Sequence, residues 1–199
     1  LGEFRWMAPS LLMFALAAAA FRKSWIGRLE SFSGAIYVAA PSAVFVWLRN
    51  RPDEGLFLAF ALAIGTWASD IAAYFTGRAL GGPKLSPETS PKKTWSGFLG
   101  GVAAGGIAVA AYAAAAKANW QIGAVAGALI SVVGQAGDMF ESLVKRHFKV
   151  KDSSGFIPGH GGVMDRMDSL MAATLVCALA LRWVSEVYPG ANLSSANPF

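Results

Sequence analysis

The sequence predicts an all-α, polytopic integral membrane protein with about six transmembrane helices. Of its 199 residues, 55% are hydrophobic and only 15% are charged, whereas a soluble domain carries about 25% charged residues. Six apolar segments approach the length of about 20 residues that a helix needs to cross the hydrocarbon core of a bilayer. No second, soluble domain is indicated, so we expect residues 1–199 to form a single transmembrane domain.

The six predicted spans are separated by polar connections. They cover about residues 6–21, 34–48, 56–75, 98–116, 120–137 and 169–184. Pro41 is expected to kink the second span because proline cannot donate a backbone hydrogen bond. Glycines recur at four-residue spacing in the fourth and fifth spans, at Gly97, Gly101 and Gly105 and at Gly123 and Gly127. This spacing places small residues on one helix face and predicts close approach by a neighbouring helix.

Basic residues concentrate on one predicted side of the membrane. Twelve of the 17 lysines and arginines lie in the first, third and fifth connections. The positive-inside tendency therefore predicts that these connections face the cytoplasm. The net charge of +5 belongs to this distribution, and we do not interpret it as a sign of nucleic-acid binding.

Asp70 lies inside the third apolar span, in WASDIAAYF. A charged side chain at the centre of a membrane helix costs about 2.5–3.5 kcal/mol on insertion scales. Such a residue predicts a polar site, here one reached from the cytoplasmic side. The alternative is a carboxylate that caps the helix or extends to the interface near an uncertain helix boundary.

Carboxylates cluster where the fifth and sixth spans meet the same connection. Asp138 ends the fifth span, and Asp165 and Asp168 open the sixth. Residues three apart share a helix face, so two helix ends are predicted to bring these carboxylates together. Hard oxygen ligands beside phosphate-binding cations suit Mg²⁺, which is commonly held by one or two carboxylates and substrate phosphates. The alternative is that they are ordinary carboxylates at the membrane border, paired with Arg146 and Arg166.

Two polar connections on the predicted cytoplasmic side are rich in cations. The first contains Lys92 and Lys93 in SPKKTW, and the second contains Lys145, Arg146, Lys149 and Lys151 before the turn GHGG. Cations mixed with carboxylates predict a site for phosphate and metal, whereas basic residues beside a membrane commonly contact lipid headgroups. His160 is either a phosphate-positioning side chain or an exposed structural histidine. The chain has no GxxxxGK[ST] loop and no GxGxxG after a strand, so neither nucleotide-binding loop is expected.

The segment Ser142–Asp168 follows one spaced pattern. Its matching positions are Ser142, Val144, Lys145, Arg146, Lys151, Asp152, Ser154, Ile157, Pro158, His160, Gly161, Gly162, Val163, Asp165, Arg166, Met167 and Asp168. This segment, here called the signature segment, resembles the signature of phosphatidate cytidylyltransferases, also called CDP-diacylglycerol synthases. A second similar stretch contains Ser69, Asp70, Tyr74, Gly77, Arg78, Gly81, Ser90, Pro91, Lys93, Thr94, Trp95 and Gly97. The family usually has a glutamate after this tryptophan, where this chain has Ser96.

The resemblance implies transfer of CMP from CTP to phosphatidic acid, giving CDP-diacylglycerol and pyrophosphate in phospholipid biosynthesis. The catalytic residues it implies are Asp138, Asp165, Asp168, Lys145 and Arg146. Within this set, Asp138 and Asp165 are implied to bind Mg²⁺, with K⁺ as a candidate second cation. The substrate-binding residues expected in the same site are Asp70, Lys92, Lys93, Ser142, Lys151, Asp152, His160, Gly161, Gly162 and Arg166.

The resemblance also implies an enzyme of the bacterial inner membrane whose site faces the cytoplasm. Family members are longer at the N-terminus and this chain starts at Leu1, so we expect a transmembrane catalytic domain without its N-terminal part. A homodimer is left open. The nearest rival function is a related CTP-dependent lipid kinase acting on polyprenol or phytol. A more distant rival is an ion-coupled transporter that uses Asp70.

Overall fold

The computed structural model describes residues 7–150, 164 and 167–187, and within them the chain is almost entirely helical. The elements are α1 (Met7–Ala20), α2 (Trp25–Arg49), α3 (Gly55–Leu80), β1 (Lys84–Ser86), β2 (Ser90–Thr94), α4 (Trp95–Ala115), α5 (Trp120–His147) and α6 (Asp168–Val187). In this part of the chain, α2 to α5 are long and apolar enough to cross a membrane. The prediction of an all-α, polytopic membrane protein is confirmed.

Three helices extend well beyond the apolar segments that predicted them. Helix α2 begins at Trp25, α3 continues to Leu80 and α5 continues to His147. Hydropathy marks where a helix leaves the hydrocarbon layer, whereas backbone hydrogen bonding can continue into polar sequence. Residues 142–147 at the start of the signature segment therefore form the last turns of α5, where the sequence analysis expected a loop.

The polar connection between α3 and α4 contains an antiparallel hairpin that the sequence analysis did not predict. Its strands pair Lys84 with Thr94 and Ser86 with Ser90. The hairpin starts after Gly81, which ends α3 with φ 63°, a backbone conformation that favours glycine. The backbone N–H of Trp95 donates to the Pro83 carbonyl at 3.1 Å, which closes the base of the hairpin.

Ser96 and Thr94 fasten the hairpin to both adjoining helices. The Ser96 hydroxyl donates to the carbonyl of Gly81 at the end of α3. The Thr94 hydroxyl lies 3.0 Å from that of Ser96 and accepts from the Gly97 N–H, which caps the start of α4. In this chain, the side chain that replaces the family's usual glutamate therefore has a structural contact.

Helices α3, α4 and α5 form the most extensively packed part of the molecule. The five glycines singled out in α4 and α5 are all buried. A Cβ on Gly127 would run into the carbonyl oxygen of Gly105, and a Cβ on Gly101 would come within 2.9 Å of the Ser69 carbonyl oxygen. The prediction of close helix approach at these glycines is confirmed.

The distribution of polar side chains is the reverse of that in a soluble protein. Thr66, Ser69, Ser131 and Gln135 are buried between helices, while many large hydrophobic side chains, such as Trp67, are exposed. A small apolar cluster of Leu48, Leu62, Leu170 and Ala173 packs α2, α3 and α6 together. The exposed apolar surface is suited to lipid, and the interior carries the polar groups that could serve a site.

Replacing Gly127 with alanine is expected to destabilise the helix bundle, because the new methyl group meets the backbone of α4 at Gly105. Overpacking of this kind costs about 1–3 kcal/mol. We expect a lower melting temperature for the Gly127→Ala protein in detergent. Gly34 in α2 provides the matched control, since a Cβ there meets nothing within 4 Å. Equal melting temperatures for Gly127→Ala and Gly34→Ala would contradict the packing described here.

Candidate active site

A cavity of about 890 Å³ lies at the end of the bundle where α3 and α5 end and α4 and α6 begin. Its walls come from these four helices and from the hairpin. Ligand sites commonly have volumes of about 300–1,000 Å³. The cavity is therefore large enough for a sizeable polar ligand at the border of the apolar helices.

The wall of the cavity carries more cations than carboxylates. The cationic side chains are Arg78, Lys84, Lys92, Lys93 and Lys145, and the acidic ones are Asp70, Asp138 and Asp168. Fixed cations that converge on one space stabilise a polyanion, and neighbouring carboxylates supply hard oxygen ligands for a divalent cation. The structure thus brings six of the predicted site residues to one cavity: Asp70, Lys92, Lys93, Asp138, Lys145 and Asp168. Arg78, a position of the second similar stretch, lines it with them.

A close ion pair in the cavity joins the hairpin to α5. Lys93 Nζ lies 2.6 Å from Asp138 Oδ2, and both side chains remain partly accessible from the cavity. Lys93 belongs to β2, so this ion pair depends on the hairpin that holds the strand in place. The pair keeps a cation and a carboxylate side by side in the space where a ligand would bind.

Asp70 lies well inside α3. The helix continues for ten residues beyond it, to Leu80, which corresponds to about 15 Å along the axis. This position excludes the alternative in which Asp70 caps a helix end. The side chain lines the cavity, where Asp138 is close enough to interact with it electrostatically.

Gln135 is a cavity residue that the sequence analysis missed. It lies one helical turn before Asp138 and is 6% exposed. Its Nε2 donates to the Ser69 hydroxyl and to the Phe98 carbonyl, both at 3.3 Å. One carboxamide therefore connects α5 to α3 and α4 beside the charged groups. The signal is present in the sequence, as an amide side chain within the apolar run before Asp138.

Asp168 and Glu141 lie close to each other where the start of α6 meets the end of α5. Asp168 is the first residue of α6, and its Oδ1 accepts from the Ser169 N–H at 2.7 Å. The carboxyl groups of Asp168 and Glu141 are near enough to interact electrostatically. Glu141 in turn lies 3.4 Å from Lys145 Nζ, one turn further along α5. Neighbouring elements thus hold the two cavity groups Asp168 and Lys145.

Two predicted site residues that the structure describes are not part of the cavity wall. Arg146 is exposed, Ser142 is half-buried, and neither side chain lines the cavity. The remaining predicted site residues lie outside the described residues, and they are Lys151, Asp152, His160, Gly161, Gly162, Asp165 and Arg166. The predicted partnership of Asp138 with Asp165 therefore stays a prediction.

The donor set that the structure does describe fits Mg²⁺. Asp138 lies within electrostatic range of Asp70 and of Asp168, and all three line the cavity. The described residues hold no group of three or more His, Cys, Asp or Glu side chains arranged for a metal. Mg²⁺ needs only one or two carboxylates when water and substrate phosphates complete its ligands. Asp138 is the described carboxylate best placed for this, because it also faces the cations.

The amino-acid sequence of the chain matches a known protein family. A model of the cytidylyltransferase family matches residues 3–184. A phosphatidate cytidylyltransferase from Brucella suis is 46% identical over 77% of this chain and 57% of its own length. Proteins of the same name from Bacillus subtilis and Rickettsia bellii are 39% and 31% identical, over 69% and 83% of this chain and 52% and 78% of their own lengths.

The chain spans little more than half the length of the Brucella and Bacillus relatives. The residues that the family model matches, 3–184, nevertheless include the helices and the hairpin that form the cavity. From the family match and these relatives, the chain belongs to the cytidylyltransferase family.

Proposed function

We propose that this chain carries the active site of a phosphatidate cytidylyltransferase, which transfers CMP from CTP to phosphatidic acid. The observation that carries the proposal is the cavity in which the Lys93–Asp138 ion pair lies among further cations, at the ends of membrane helices. The relatives named phosphatidate cytidylyltransferase support the same activity.

The proposed reaction makes one bond and breaks one. A phosphate oxygen of phosphatidic acid attacks the α-phosphorus of CTP, the bond from that phosphorus to the bridging oxygen breaks, and pyrophosphate leaves with the electron pair. The attacking oxygen is already anionic, so no strong general base is required. The main obstacle is repulsion between two polyanions, which fixed cations reduce.

The cations of the cavity have a direct role in this proposal. Lys92 and Lys93 on β2, and Lys145 on α5, face the space from two sides and bind the phosphates of CTP. Asp138 keeps Lys93 in place before substrate arrives. Because these groups are held by a hairpin and a helix, the phosphates meet cations that are already positioned.

Mg²⁺ is proposed as the cofactor, held by Asp138 and by Asp165, which lies outside the described residues, with Asp168 close to them. When bound, it neutralises charge on the phosphates that are transferred and released. K⁺ as a second cation stays a prediction.

The position of the cavity suits a reaction between a lipid and a nucleotide. It lies at the end of the bundle that carries the basic connections, which the positive-inside tendency assigns to the cytoplasm. We propose that the protein resides in a bacterial inner membrane and binds CTP from the cytoplasm and phosphatidic acid from the bilayer.

A labelling experiment with the full-length membrane protein tests the proposed reaction. Purified protein is given phosphatidic acid, Mg²⁺ and CTP labelled in either the α- or the γ-phosphate. We expect the α-label to enter the lipid and the γ-label to appear in pyrophosphate. Transfer of the γ-label to a lipid acceptor would instead identify a kinase.

Replacing Asp138 with asparagine is expected to lower kcat by at least about 100-fold, because it removes a charge from the centre of the cavity while keeping the side-chain size. Asp53→Asn is the matched control, since Asp53 is exposed in the α2–α3 connection at the other end of the bundle. Both variants are compared by steady-state kinetics and by their amount in the membrane. Wild-type kcat in Asp138→Asn would overturn the role of this carboxylate.

Lys93→Gln is expected to raise the KM for CTP about tenfold, because it removes one phosphate-facing cation and the partner of Asp138. Lys117→Gln makes the same change at an exposed site in the α4–α5 connection, at the opposite end of the bundle, and should leave KM unchanged. An unaltered KM in Lys93→Gln would show that Lys93 does not contribute to binding of the nucleotide.

A further inference from the structure

Glu141 is a buried acid that the proposed mechanism does not use. It lies on α5, its exposed fraction is 2%, and its side chain is among the largest fully buried ones in the described residues. It does not line the cavity. An ionisable side chain buried in this way is costly unless its neighbours compensate for the lost water, so its contacts indicate what it does.

Glu141 forms an ion pair with a group that does line the cavity. Its Oε1 lies 3.4 Å from Nζ of Lys145, and the carboxyl group of Asp168 is near enough to interact with it electrostatically. Lys145 is on the last turns of α5 and Asp168 is the first residue of α6. Glu141 therefore lies outside the cavity lining and is paired with a cation that belongs to that lining.

We propose that Glu141 is a positioning residue, which acts through Lys145 to hold a cation toward the phosphates of the bound nucleotide. A lysine side chain is long and flexible, so without a partner its ammonium group occupies many positions. An ion pair to the buried carboxylate one turn below restricts Lys145 to the cavity wall, where it is only partly exposed. This inference deepens the proposed function and rests on it for the identity of the anion.

The direction in which anion affinity changes when Glu141 is neutralised distinguishes a positioning role from a purely electrostatic effect of its charge. Glu141 is an acid near a site for a polyanion, so removing its charge would by electrostatics alone strengthen anion binding. Positioning gives the opposite result, because Lys145 loses the partner that directs it. A merely structural role changes the melting temperature and leaves the coupling between Glu141 and Lys145 at zero.

The experiment is a double-mutant cycle in the full-length protein, made of Glu141→Gln, Lys145→Gln and the double variant. Binding of inorganic pyrophosphate is measured by calorimetry in detergent, and CMP transfer is measured in parallel. We expect each single variant to weaken pyrophosphate binding about tenfold, and the double variant to bind no more weakly than Lys145→Gln alone. Ser131→Ala is the matched control, because Ser131 is buried on the same helix and its hydroxyl donates to the Gly127 carbonyl away from the cavity.

Three outcomes would overturn the positioning role: stronger pyrophosphate binding in Glu141→Gln, wild-type binding, or effects of the two single variants that multiply in the double variant. If Glu141→Gln does not accumulate in the membrane, Glu141→Asp enters the same cycle. The aspartate keeps the charge but its side chain is one methylene group shorter, so we expect an intermediate loss of pyrophosphate affinity. This loss should again disappear when Lys145 is replaced by Gln. If the cycle shows this coupling in pyrophosphate binding while the wild-type protein transfers no CMP, the proposed function is overturned and the positioning role is supported.

Discussion

The ion pair between Lys93 and Asp138 is the contact on which the site depends, because it joins a polar hairpin to a helix of the membrane bundle. Each partner comes from an element with different physical constraints. Asp138 lies on α5, whose position is set by glycine contacts with α4, whereas Lys93 lies on β2, which pairs with β1 and contacts α4. The distance of 2.6 Å between Lys93 Nζ and Asp138 Oδ2 requires both the hairpin and α5 to be in place. The ion pair therefore forms only when these two walls of the cavity are assembled.

The sequence predicts the fold class and six of the charged residues that line the cavity, for clear physical reasons. Long apolar segments can only be membrane helices here, and Asp70 and Asp138 stand out because charge in such segments is costly. It does not predict the hairpin, because the pairing of Lys84 with Thr94 and the bond from the Trp95 N–H to the Pro83 carbonyl join residues that are apart in the chain. It also predicts the end of α5 too early, because the apolar run ends at Gly137 while the helix continues into polar sequence.

Gln135 shows why pairwise contacts within the bundle were not predictable. Its amide reaches Ser69 on α3 and the Phe98 carbonyl on α4, which are far apart in sequence. Both partners are within reach because Gly101 lets the three helices approach closely, and a Cβ at that glycine would lie 2.9 Å from the same amide nitrogen. The close helix packing at Gly101 and the hydrogen bonds of the buried Gln135 amide therefore depend on each other. Together they stabilise the bundle and fix one side of the cavity.

The hairpin makes one wall of the cavity from a segment that lies outside the transmembrane helices. It is fastened at its base, where Ser96 and the Trp95 N–H meet the end of α3, and its strands contribute Lys84, Lys92 and Lys93 to the cavity. Sequence changes between Lys84 and Lys93 can thus alter the charge offered to a water-soluble ligand while the lipid-facing surface and the helix packing stay the same. The charge of this cavity wall and the apolar surface of the bundle therefore belong to different parts of this chain.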